Sequence, residues 1–153
     1  MLVVLDDGRR QLVGYLSHRM QKADSPAAKV RAWVEGVLAQ AADADVAART
    51  RPFLAHQDRL AEQFPTEQQQ SVDLLIELLR DSISALPGAR SRLTTHRDAE
   101  AVYQLTFGTL HWHLCHGTRP TTGEINHLVQ FSLRGLGGAP SPGAGRRAAG
   151  RGE

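Results

Sequence analysis

Four histidines and the single cysteine of the chain crowd into one stretch, Asp98 to Leu136. His111 and Cys115 stand four residues apart, and His113 and His116 stand three apart. On a helix either pair shares a face and can chelate a soft or borderline metal ion. The two pairs point in different directions, however, and no carboxylate partner is fixed for either. The plainer reading is that they are polar positions near a helix end, where a protonated imidazole complements the dipole. Glu124-Ile-Asn-His127 matches the Glu-x-x-His element of di-iron helix bundles. That chemistry needs the element on two helices and a Glu on each of two more. It occurs once here, and a capping box already accounts for Glu124. Cys115, between His113 and His116, reads as a buried structural cysteine, with a reactive thiol as the alternative.

The motifs of nucleophilic and nucleotide chemistry are missing. The chain has no G-x-S-x-G, no P-loop, no G-x-G-x-x-G after a strand and no H-E-x-x-H. The sequence calls for no enzyme, no cofactor and no metal. What remains is a set of large rings: Trp33, Phe53, Phe64, Tyr103, Phe107 and Trp112. They read either as ordinary core or as the apolar wall of a pocket between helices. The pocket would gain polar fixtures from His56, Tyr103 and His111. Its candidate ligand-binding set is Trp33, Val37, Phe53, His56, Phe64, Tyr103, Phe107 and His111.

The elements that must position these groups are helices. Residues 98–116 predict one long helix with Asp98 as N-cap, Gly117 as its left-handed stop and Pro120 forbidding continuation. Thr121-Thr-Gly-Glu124 restarts the chain as a capping box. In the long helix, Val102, Leu105, Thr109 and Trp112 form one apolar track; Tyr103, Phe107, Leu110 and Leu114 form a second. A surface helix needs one stripe, so two imply two partners, the domain's own core and a second subunit. The spacing does not assign which track faces which.

Upstream, residues 2–22 read as a helix with Leu5, Leu12, Leu16 and Met20 near one face. It opens in mid-pattern at Met1–Leu5, consistent with a natural start further upstream or with a frayed terminus. Ser25-Pro26 restarts the chain, and Val30, Trp33, Val34, Val37 and Ala41 mark the next buried stripe. A short segment follows from Asp43–Asp45, interrupted at Arg49–Pro52. Phe53, Leu60 and Phe64 sit on a short helix that Pro65 ends. Thr66-Glu-Gln-Gln69 then caps a helix with Val72, Leu75, Ile76, Leu79, Ile83 and Leu86 at three-and-four spacing, stopped by Pro87-Gly88. Residues 89–97 read as a polar connector. From 138 to 153 a Gly/Pro/Arg tail has almost nothing to bury and is expected to be disordered. The fold class is all-α, a multi-helix bundle over residues 1–137.

Composition fits that picture. At 153 residues, with 41% hydrophobic and 22% charged residues, the chain is ordinary for one globular domain. Its net charge of +2 is concentrated at the end: residues 137–153 hold three of eighteen basic residues and one of sixteen acidic, leaving fifteen of each. A neutral folded part argues against a nucleic-acid face. One cysteine excludes an intrachain disulfide. No apolar run reaches a membrane span and no signal-peptide core is present, so no membrane partner and a cytoplasmic location are expected.

The closing hairpin resembles the last helices of the tetracycline-repressor (TetR) family of bacterial transcriptional regulators. The residues that carry the likeness are Tyr103-x-Leu-x-x-Gly108, His113-Leu-x-x-Gly117, Arg119-Pro-Thr-x-x-Glu124-Ile, and Phe131-x-x-Arg134-Gly-Leu-Gly137. Val30-Arg-Ala-Trp33, Ala47-Ala-Arg-Thr-Arg-Pro-Phe53, and Arg59-Leu-Ala ahead of Phe64-Pro65 extend it upstream. The resemblance implies the C-terminal effector-sensing and dimerisation domain of such a regulator, usually a repressor. It implies a small apolar or aromatic effector among the middle helices, and a homodimer formed by the last two helices. The dimer positions would be Val102, Leu105, Gly108, Thr109, Trp112, Leu128, Phe131 and Ser132. In the family, operator DNA is read by an N-terminal helix-turn-helix, which has no counterpart in these residues. The alternatives are a stand-alone helical module that heterodimerises with a full-length regulator, and a metal- or redox-responsive sensor built on the His/Cys cluster.

Overall fold

Four of the five described helices begin where a side chain or a proline can satisfy, or dispense with, the orphan amides of the first turn. The computed structural model describes residues 2–42, 65–88 and 90–137. Over these the chain is all-helical, with no strand. Helix α1 spans Leu2–Gln21 and α2 spans Pro26–Leu38, followed by a 3-10 turn at Ala39–Ala41. Helix α3 spans Pro65–Ser84, α4 Arg92–His116 and α5 Thr122–Gly135. Ser25 caps α2, its Oγ accepting the Ala28 amide at 3.1 Å, and Pro26 occupies the first turn as its spacing predicts. Gly117 adopts φ +64° and closes α4, with its amide donating to the His113 carbonyl.

Helix α2 is the axis of the bundle and touches the other four. Val30, Trp33, Val34 and Val37 on it are fully buried. Against them pack Leu16 and Met20 of α1, Leu75, Leu79 and Ile83 of α3, Ala99, Val102, Leu110 and Leu114 of α4, and Leu128 and Val129 of α5. Each fully buried aliphatic side chain of this kind contributes about 1.5–3 kcal/mol relative to exposure, so the core is the main source of cohesion. Where α1 crosses α2 the approach is close. A Cβ on Gly36 would lie 2.5 Å from Leu16 Cδ2. A polar chain runs over the same surface: Arg19 pairs with Glu35 at 3.3 Å, Glu35 with Arg31 at 3.1 Å, and Arg31 donates to Asn126 of α5 at 3.1 Å. These half-exposed contacts add little energy and serve chiefly to fix register.

Several expected boundaries are corrected. The long helix begins at Arg92, six residues before Asp98, and Ser91 is its cap, accepting the Thr94 amide at 3.1 Å. Residues 92–97 therefore belong to α4 and are not a connector. Thr95 and Ala99 are buried, so the inward stripe already runs through that polar-looking segment. Asp98 lies within the helix, 3.6 Å from Arg90. Pro65 opens α3, a first-turn position where its missing N–H costs nothing, and Thr66 lies inside α3 rather than before it. Helix α3 stops at Ser84, before Pro87-Gly88; Gly88 takes φ +107° in the following turn. The segment expected at 43–45, the interruption at 49–52, the short helix through Phe53, Leu60 and Phe64, and the tail at 138–153 lie outside the described residues.

Candidate functional site

The rings come together on α2 and α4. Trp33 is fully buried, and its Nε1 donates to the Leu75 carbonyl of α3 at 3.2 Å. Four residues separate Tyr103 from Phe107, so their side chains stack along α4, with centroids 4.5 Å apart and planes 27° apart. Trp33 presents its ring to both, at 6.4 Å from Tyr103 and 6.0 Å from Phe107. These edge and offset geometries are the favourable ones for aromatic quadrupoles. Val37 is buried one turn further along α2. Tyr103 and Phe107 are only partly covered by the described residues. The arrangement is an apolar wall with one buried and two half-open rings. His111 does not join it: its ring is exposed, with Nε2 3.5 Å from Cys115 Sγ. Phe53, His56 and Phe64, the other expected members, lie outside the described residues.

The outward side of α4 has its own pattern. Ala101, Leu105, Gly108, Trp112 and Cys115 are all exposed, and their spacing alternates four and three, the periodicity of a helix–helix seam. Leu105 is 37% exposed and Trp112 54%; Phe131 on α5 is 56% exposed. Thr109 is half-buried beside them, its hydroxyl donating to the Leu105 carbonyl at 2.9 Å. Val102, Leu128 and Ser132, also expected at the subunit interface, are covered by the chain's own core. Cys115 is exposed, which corrects its reading as a buried structural cysteine. The inward track gathers Leu110 and Leu114 with the rings, so the two apolar sides of α4 are distinct faces.

One histidine departs from what spacing alone suggests. His113 is 5% exposed and bridges the α4–α5 turn. Its Nε2 lies 3.0 Å from Glu124 Oε2 and its Nδ1 2.8 Å from Thr118 Oγ1. Nε2 donates to the carboxylate and Nδ1 pairs with the Thr118 hydroxyl, so both ring nitrogens are satisfied. Glu124 is thus a partner of His113, and only half of the expected capping box forms: Thr121 Oγ1 accepts the Glu124 amide at 3.1 Å. The signal that spacing misses is geometric. Gly117 and Thr121 fix the turn, which brings the last turn of α4 beside the first of α5. His116 instead stacks on Trp112 at 4.2 Å, its Nδ1 donating to the Trp112 carbonyl at 2.7 Å. No group of three or more His, Cys, Asp or Glu placed to hold a metal occurs among the described residues.

A groove of about 670 Å³ opens elsewhere, between the end of α3 and the start of α4, lined by Arg80, Ser84, Arg90, Arg92 and Thr95 among others. No helix among the described residues is long and apolar enough to cross a membrane. No protein-family model, curated protein or solved structure matches the chain.

Proposed function

We propose that this chain is the effector-sensing and dimerisation domain of a TetR-type transcriptional regulator, with α4 serving both tasks. The observation that carries the reading is the two-faced character of that helix. Tyr103 and Phe107 form a half-open aromatic wall with Trp33 on one side. Leu105, Gly108 and Trp112 stand exposed on another, with Phe131 of α5 also exposed. A small apolar or aromatic molecule seated on the wall would bear on the same rigid helix that carries the subunit seam. Binding could then shift the spacing of two protomers only through its differential affinity for the alternative arrangements. In this scheme operator recognition belongs to a helix-turn-helix separate from the five described helices.

The test is a thermal-shift screen of apolar and aromatic compounds on the chain and on Phe107→Ala. A ligand of the wall raises the melting temperature by mass action and loses that effect in the variant. A compound that stabilises both proteins equally binds elsewhere. A panel without any ligand-dependent shift would count against the sensing half of the proposal.

A further inference from the structure

We propose that the groove between the end of α3 and the start of α4 is a binding site for a small phosphate monoester, held by Arg80 and Arg92. This site is separate from the ring wall and independent of the proposed sensing role. Thr95, on the groove, lies eight residues before Tyr103, about 12 Å along the helix axis.

Three guanidinium groups line the groove, and they are not equivalent. Arg90 is committed. Its Nη2 donates to the Leu136 carbonyl at 2.7 Å, its Nη1 lies 3.6 Å from Asp98, and its side chain is 12% exposed. It supplies a fixed cation at the back of the site. Arg80 is half-exposed and Arg92 exposed, and neither has an ion-pair partner among the described residues. Two long cationic arms line one groove, their five-donor forks unused among the described residues, and such forks suit the charge of a phosphate dianion.

The other polar groups narrow the recognition. Ser84 Oγ donates to the Asp81 carbonyl at 2.8 Å and Thr95 Oγ1 to the Ser91 carbonyl at 3.0 Å, so neither hydroxyl proton is free for an anion. The Thr94 amide is taken by Ser91 Oγ and the Thr95 amide by the Ser91 carbonyl. The first amides of α4, at Arg92 and Leu93, have no intrahelical acceptor, and the helix end adds a favourable field. Asp81 is the one carboxylate on the lining among the described residues. It disfavours a bare anion beside it but accepts hydrogen bonds from hydroxyls, as a polyol or sugar ester would offer. At about 670 Å³ the groove has room for the organic part of an ester beside the phosphate.

Isothermal titration calorimetry with a sugar phosphate and with inorganic phosphate, at ionic strength matched with sodium chloride, tests the site. The expected result is saturable binding, tighter for the ester. Arg92→Ala and Arg80→Ala should each weaken it about tenfold or more, as loss of a charge-assisted contact predicts. Arg97→Ala, on α4 outside the groove, should leave it unchanged. Arg92 is exposed, so its variant should keep the native melting temperature and remain a valid test. Heat no larger than that of chloride, or equal weakening by Arg97→Ala, would overturn the proposal.

Discussion

Gly36→Ala should destabilise the protein although alanine is the better helix former. Replacing a mid-helix glycine by alanine gains about 1 kcal/mol in helix propensity. At Gly36 the new methyl would stand 2.5 Å from Leu16 Cδ2, well inside any real carbon–carbon contact, and also 3.5 Å from Tyr15 Cε1. Leu16 is fully buried, so its Cδ2 cannot swing into solvent. Either the rotamer strains or α1 moves off α2, an overpacking cost of about 1–3 kcal/mol. A clash this short belongs in the upper half of that range, so we expect a net loss of about 1–2 kcal/mol. For a chain of this length that is a fall of about 2–8 °C in melting temperature, read by circular dichroism or calorimetry. Gly108→Ala is the natural comparison. It lies in the interior of α4, and a methyl added there would have no described atom within 4 Å. In a dilute monomer it should therefore gain about 0.5–1 kcal/mol. A double-mutant cycle with Leu16→Ala locates the penalty: the smaller side chain should absorb much of the Gly36→Ala cost, leaving a coupling energy between the two sites. A melting temperature that rises for Gly36→Ala as it does for Gly108→Ala, or strict additivity with Leu16→Ala, would refute the close α1–α2 approach.

Trp33→Ala should cost about 3–5 kcal/mol, because the ring is fully enclosed and loses its bond to Leu75, whereas Phe107→Ala, half-open, should cost clearly less; equal losses in chemical denaturation would make Phe107 ordinary core. His113→Ala should cost about 1–3 kcal/mol by removing the buried bridge between Glu124 and Thr118, while Glu124→Gln, which keeps an acceptor for the buried Nε2 on a half-exposed side chain, should cost under about 1 kcal/mol. The reverse order in urea titrations would show that the carboxylate, not the ring, organises the turn.

The all-helical class was legible because apolar spacing repeats at three and four through every described helix, and Ser25, Pro26, Gly117 and Thr121 act where their chemistry predicts. Polar sequence is misleading at the start of α4. Asp98 has the chemistry of a cap, yet Ser91 takes that role because Thr95 and Ala99 continue the buried stripe upstream. Pro65 carries a similar ambiguity, since a proline both follows helix ends and opens helix starts. Within the candidate site, the pairing of Tyr103 and Phe107 follows from their spacing on one helix, while their meeting with Trp33 depends on how α2 crosses α4. The His113–Glu124 contact is invisible in sequence for the same reason. Helical spacing relates residues within an element, and this pair is set by the turn that joins two of them.

Light scattering of the chain at micromolar concentration tests the two-faced α4 most directly. A symmetric dimer through the exposed seam gives twice the 16.7 kDa of one chain for the native sequence. Trp112→Glu combined with Phe131→Glu should give a folded monomer, since both side chains are exposed and neither supports the core. A native chain that stays at 16.7 kDa, or a dimer unchanged by both substitutions, would contradict the two-faced helix.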